Sequence, residues 1–129
     1  MSRFTLPVRE ELSDINQTTY DNIKKKIGFM PNLYMMYNKN ENALNDYLVL
    51  QNRKSTLTGK EKEVVNLINS QINGCVYCVS AHTMIAKMNG FTDDQAFEIR
   101  KGTAGFDPKL DAIAKFTASM VANRGKASE

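Results

Sequence analysis

A chain of 129 residues with 42% hydrophobic and 24% charged side chains has ordinary globular composition and enough length for a real core. Its mean hydropathy of −0.42, with no apolar run near the ~20 residues of a membrane span, excludes a membrane protein by average. Against 14 acidic residues the 17 basic ones leave a net charge of +3, too small an excess to point to nucleic acid. The densest basic run, Lys24-Lys25-Lys26, lies on an amphipathic segment and reads as a solvated helix face.

The N-terminus, Met1-Ser2-Arg3-Phe4-Thr5-Leu6-Pro7, lacks the apolar stretch of a signal peptide, so a cytoplasmic location is expected. Two cysteines in such a chain argue against a structural disulfide framework and for a catalytic or metal role. No boundary, repeat or low-complexity stretch interrupts the chain, and residues 1–129 read as a single domain with a polar tail over 123–129.

Strand-like alternation is absent, whereas helical spacing and helix caps recur, which predicts an all-α fold of about six to seven helices. A first helix is expected over about Ile15 to Ile27, with Tyr20, Ile23 and Ile27 in register and Gly28 as its stop. After the break Gly28-Phe29-Met30-Pro31-Asn32, a short helix carries Leu33, Met36 and Tyr37. A third, from about Asn42 to Arg53, places Leu44, Tyr47, Leu48 and Gln51 along one side. Thr58-Gly59-Lys60-Glu61 has the form of a capping box and opens a fourth helix with Glu63 in its first turns and Val64, Leu67, Ile68 and Ile72 as its apolar stripe. Asn73-Gly74 turns the chain into a helix beginning at Cys75 and stopped by Asn89-Gly90. Thr92-Asp93-Asp94-Gln95 is a second capping box, and Asp107-Pro108 starts a last helix with Leu110, Ile113, Ala114, Phe116 and Thr117. Met30, Met35, Met36, Met84 and Met88 fall at helical spacings, as core or subunit-interface filler would.

Both cysteines, the only histidine and a carboxylate fall within twenty residues: Glu63, Cys75-Val76-Tyr77-Cys78 and His82. Peroxide and disulfide chemistry needs a thiolate, and an ordinary cysteine is mostly protonated at neutral pH. On one helix, Cys78 and His82 stand at i and i+4 with Cβ atoms roughly 5–6 Å apart, the reach of a thiol and its base. Cys75, at the start of that helix, meets free N–H groups and the positive dipole end, and a Cys-x-x-Cys there can close a small, reversible disulfide. In an antiparallel hairpin turning at Asn73-Gly74, Glu63 and His82 lie roughly 15 and 12 Å from the turn, nearly level, which suggests a relay from Cys78 through His82 to Glu63.

Blander readings compete at each position. The cysteines could be small buried hydrophobes. Zinc would need Glu63 as a fourth ligand, since the chain offers three Cys/His in all. Haem attachment fails because position 79 is Val. His82 could be an ordinary helix histidine, and Glu63 a solvated carboxylate favoured by the helix dipole. Tyr77 could shape a small-molecule pocket or simply pack. No phosphate loop, Ser-His-Asp arrangement or dinucleotide fingerprint is present.

The spacing Glu63, Cys75-x-x-Cys78, His82 resembles the signature of the alkylhydroperoxidase AhpD family, within the carboxymuconolactone decarboxylase superfamily. The flanking text is similar too: Leu57-Thr58-Gly59-Lys60-Glu61-Lys62 before the motif and Val79-Ser80-Ala81-His82-Thr83 within it. Phe29-Met30-Pro31-Asn32-Leu33 resembles the upstream part of the smaller peroxidase-related members. The chain departs from the best-known pattern in carrying Val76-Tyr77 where a histidine often stands between the cysteines, and in being shorter.

The resemblance implies an all-helical fold, assembly into trimers or hexamers, and thiol peroxidase activity without cofactor or metal. It makes Cys78 the peroxidatic residue that becomes a sulfenic acid, and Cys75 the residue that resolves it to a disulfide, with His82 and Glu63 as the relay. An external dithiol, in the family a lipoyl-bearing protein or related donor, would reduce that disulfide. Two other functions stay open: the lactone decarboxylase chemistry found elsewhere in the superfamily, and a non-catalytic oligomeric module that senses redox state through Cys75 and Cys78.

Overall fold

The computed structural model describes residues 5–126, in which seven α-helices form and no strand does. Residues 1–4, the start of the N-terminal stretch read above for a signal peptide, and residues 127–129, the end of the polar tail, lie outside the described residues. The chain divides into two compact units, one ending at Lys54 and the other starting at Ser55. Among the described residues no helix is long and apolar enough to cross a membrane.

The first unit holds a short 3-10 turn, Arg9–Glu11, and helices α1 (Asp14–Ile27), α2 (Asn32–Tyr37) and α3 (Ala43–Gln51). Gly28, at φ 88°, ends α1 in the left-handed conformation that glycine adopts without cost. Leu44 is fully buried, but Gln51 of the same expected stripe is exposed. Tyr37 stacks on Tyr47 with ring centroids 4.6 Å apart. The turn that precedes α1 is fastened by Arg9, whose guanidinium donates to both carboxylate oxygens of Asp21 at 2.8 and 2.5 Å and to Gln17 at 3.0 Å.

The second unit contains α4 (Gly59–Ile72), α5 (Val76–Met88), α6 (Asp93–Arg100) and α7 (Pro108–Ala122). Helix α4 is its centre and packs against α5, α6 and α7. Val64, Leu67 and Ile68 on α4 are wholly buried, each worth about 1.5–3 kcal/mol of transfer free energy. They meet Ala86 of α5, Phe91, Ala96 and Ile99 around α6, and Leu110 and Ala114 of α7. The alanines at these contacts let the helix axes approach closely. Ile72, at the end of the expected apolar stripe of α4, and Phe116 of α7 are exposed at 44% and 61%. Phe116 falls off the 110-114-117 stripe that α7 buries.

Both expected capping boxes form. Thr58 Oγ1 accepts from Glu61 N at 3.3 Å while Glu61 Oε2 accepts from Thr58 N at 2.7 Å. Thr92 and Gln95 reciprocate in the same way at 3.2 and 3.0 Å. Asp107 Oδ1 accepts from the N–H groups of Lys109 and Leu110 at 2.9 and 3.1 Å, with Pro108 in the first turn. Lys109 reaches back to Glu61 at 2.5 Å, tying the starts of α4 and α7 together. These bonds to Lys109 and Thr58 hold the Glu61 carboxyl far below its ordinary range, at about 2.

Candidate active site

The turn between α4 and α5 positions the first cysteine. Gly74, at φ 65°, donates to Gln71 O at 3.1 Å, and the next residue, Cys75, donates to Ser70 O at 3.0 Å. This double closure satisfies two terminal carbonyls of α4 and requires a left-handed residue at position 74, which Asn73-Gly74 supplies. The residue that completes it is Cys75, which is also the N-cap of α5. One turn therefore ends one helix, starts the next and fixes the backbone of the first sulfur.

Cys75 Sγ accepts a hydrogen bond from Cys78 N at 3.2 Å, in the manner of an N-cap side chain. Free N–H groups and the positive end of the helix dipole favour negative charge on a sulfur placed there. Cys78 occupies the first turn of α5 and is joined to Cys75 by a disulfide, with Cα atoms 5.3 Å apart, inside the range such a bond spans. Both cysteines are partly exposed, and between them Val76 and Tyr77 stand out at 80% and 53% exposure.

One turn further along α5, His82 faces α4. Its Nδ1 lies 2.9 Å from Glu63 Oε2, so the carboxylate and the imidazole meet directly, without a bridging water. The Glu63 side chain is only 8% exposed and that of His82 29%. Glu63 is thus not a solvated first-turn carboxylate. Burying an ionised carboxylate costs several kcal/mol unless it is paired and hydrogen-bonded, on the order of the penalty known for buried ions. Its second oxygen, Oε1, is satisfied by Asn66, whose Nδ2 donates at 2.9 Å. No sequence motif marks Asn66, although its i+3 relation to Glu63 puts it on the same face of α4.

Glu63, Cys75, Cys78 and His82 therefore come together on the α4–α5 hairpin. The arrangement offers a dithiol pair, an imidazole one helical turn from the second sulfur, and a buried carboxylate able to accept Nδ1–H in the tautomer that leaves Nε2 as the basic ring nitrogen. Tyr77 has no hydrogen bond or ring contact here and presents its ring to solvent. Met35 is buried, whereas Met84 and Met88 line a shallow groove on α5 with Ser80, Thr83, Lys87 and Asp93, about half a turn around the helix from Cys78. Among the described residues no cluster of three or more His, Cys, Asp or Glu side chains is arranged to hold a metal ion.

No curated protein sequence matches the chain. A solved structure described as an alkylhydroperoxidase AhpD core, an uncharacterized peroxidase-related protein from Ralstonia eutropha JMP134, is similar to it with a TM-score of 0.84. The two share 21% sequence identity over 98% of this chain and 70% of that one. At that identity the likeness concerns the fold. The sequence model of the carboxymuconolactone decarboxylase family matches residues 41–118, more than half of the chain and a span that takes in Glu63, both cysteines and His82. The chain thus belongs to the carboxymuconolactone decarboxylase family and has the AhpD fold.

Proposed function

We propose that the chain acts as one domain with thiol-dependent peroxidase activity, reducing a small hydroperoxide through Cys78 and Cys75. The observation that carries this reading is the direct Glu63–His82 contact one turn from a Cys75–Cys78 pair that sits at a helix N-terminus. His82 Nε2 takes the proton of Cys78, and the imidazolium is balanced by Glu63. The Cys78 thiolate attacks the terminal peroxide oxygen; the O–O bond breaks, Cys78 becomes a sulfenic acid and the alcohol leaves with the proton. The Cys75 thiolate then attacks the Cys78 sulfur, water departs, and the disulfide forms. An external dithiol, a lipoyl-bearing protein or a chemically related donor, returns both cysteines to thiols. Exposed Val76 and Tyr77 flank the sulfurs and give such a donor an apolar rim.

The same reading takes the active species to be a homo-oligomer, a trimer or hexamer, working in the cytoplasm. The deciding experiment follows Cys78 and Cys75 by mass spectrometry after one equivalent of hydroperoxide. Sulfenic acid accumulates on Cys78 in Cys75→Ser, and a disulfide forms in the parent. Persistence of both thiols in the parent, with no turnover on any hydroperoxide and dithiol pair, removes the peroxidase reading.

A further inference from the structure

Glu63 has two polar partners among the described residues, and they use different oxygens. His82 Nδ1 is 2.9 Å from Oε2, and Asn66 Nδ2 donates to Oε1 at 2.9 Å. An amide N–H can only donate, so Asn66 holds Oε1 as an acceptor and leaves Oε2 as the oxygen turned to His82. A carboxylate oxygen there pairs with the His82 tautomer protonated on Nδ1. That leaves Nε2 unprotonated, facing the role of acceptor.

We infer that Asn66 is a positioning residue, which fixes the rotation of the Glu63 carboxylate so that Oε2 meets His82 Nδ1 and His82 keeps a free Nε2 for the Cys78 proton. The inference rests on the reading of Cys78 as a thiol deprotonated by His82. The step it supports moves one proton from Cys78 Sγ to His82 Nε2, leaving a thiolate and an imidazolium whose charge Glu63 balances. Asn66 makes no hydrogen bond to either sulfur and acts through the Glu63 carboxylate. No other ionisable side chain among the described residues is hydrogen-bonded or ion-paired to Glu63 or His82. On the helices packed against α4, Lys87, Arg100 and Lys109 are held by Asp93, Gln71 and Glu61.

The test reads the proton rather than the peroxide. In Cys75→Ser, reduced so that Cys78 is the single thiol, the rate of Cys78 alkylation by iodoacetamide is followed from pH 5 to 9, approximate limits that bracket the usual His and Cys ranges. Asn66→Leu, which keeps the size and loses the donor, is expected to move the profile to higher pH and slow alkylation at neutral pH by about fivefold, the scale of losing part of one charge-assisted hydrogen bond. Asn66→Asp, which sets a like charge beside Glu63, is expected to move it further in the same direction. With Glu63→Gln already present, Asn66→Leu should add nothing.

Profiles of both Asn66 variants overlying the parent would overturn the inference, as would an equal effect of Asn66→Leu in the Glu63→Gln background. Loss of the folded state in both variants, read by circular dichroism, counts against it as well, because a positioning role leaves the fold standing. Hydroperoxide turnover is measured separately. Its absence alongside a shifted profile overturns the peroxidase reading alone, and an unshifted profile alongside normal turnover overturns the role of Asn66 alone.

Discussion

Gly74→Ala separates the backbone logic of the α4–α5 turn from side-chain packing. Gly74 sits at φ 65°, and a Cβ added there meets no atom within 4 Å, so the substitution creates no clash and its cost is conformational. A non-glycine residue in the left-handed region costs about 1–2 kcal/mol, partly offset by the lower entropy of the unfolded alanine chain, which leaves about 1 kcal/mol of net destabilisation. For a chain of this size that corresponds to a fall in Tm of about 3–5 °C. Gly28→Ala is the matched control, since Gly28 has φ 88°, equally empty surroundings and a place in the other unit. The two variants should lose similar stability in urea titrations. Only Gly74→Ala should also slow closure of Cys75 onto oxidised Cys78, because Gly74 sets the Cys75 backbone through the bonds to Gln71 and Ser70. Stability of Gly74→Ala at or above the parent, or equal disulfide-closure rates in the two variants, would refute the reasoning.

Glu63→Gln keeps the shape of the side chain but removes the carboxylate facing His82; kcat/KM for a hydroperoxide should fall about 10- to 100-fold, a part of the roughly 100- to 10,000-fold that a general base supplies, and unchanged kinetics would take Glu63 out of the relay. Thr58→Ala removes the N-cap oxygen of α4 and should cost about 1 kcal/mol in chemical denaturation, a loss that a silent variant would contradict. Glu61 has a folded-state carboxyl lowered from 4.5 to about 2, so its contribution is complete above pH 4.5 and is lost as the pH falls towards 2. Tm of the parent should drop through that window and Glu61→Gln should flatten part of the drop, leaving the share of Asp21 and Asp111, which are lowered too. Parallel Tm–pH curves would show that the Lys109 and Thr58 contacts do not favour the ionised form.

Helix ends were the most legible part of this sequence because their chemistry is local. Thr58 with Glu61, Thr92 with Gln95, and Asp107 with Pro108 each satisfy orphan N–H groups within one turn, so a few residues decide the outcome. Burial was less legible. Val76, Tyr77, Met84 and Met88 make α5 apolar on faces that stay exposed, while Asn16, Glu61, Glu63 and Ser70 are polar and buried. Hydrophobicity does not dictate burial in reverse, and a polar side chain goes inside when a partner on another element or its own backbone satisfies it. Glu63 could be placed level with His82 from helix rise alone, but its burial depends on how α4 rotates against α5. Asn66 had the right phase on α4 and no sequence signal to separate it from a solvated asparagine.

The α4–α5 hairpin ties redox chemistry to helix geometry through one residue with two structural duties. Cys75 completes the C-terminal closure of α4 with its N–H and caps α5 with its sulfur. A change that frays either helix end therefore moves the sulfur, and the charge of that sulfur in turn acts on the helix end. A thiolate at this position is a stronger acceptor for Cys78 N–H than a disulfide sulfur is. The proposed relay residues lie one turn further along α5 and across on α4, where Glu63 and His82 are held by contacts that the disulfide does not make. On the proposed mechanism, this separation lets Cys75 and Cys78 open and close while the imidazole and carboxylate stay in register.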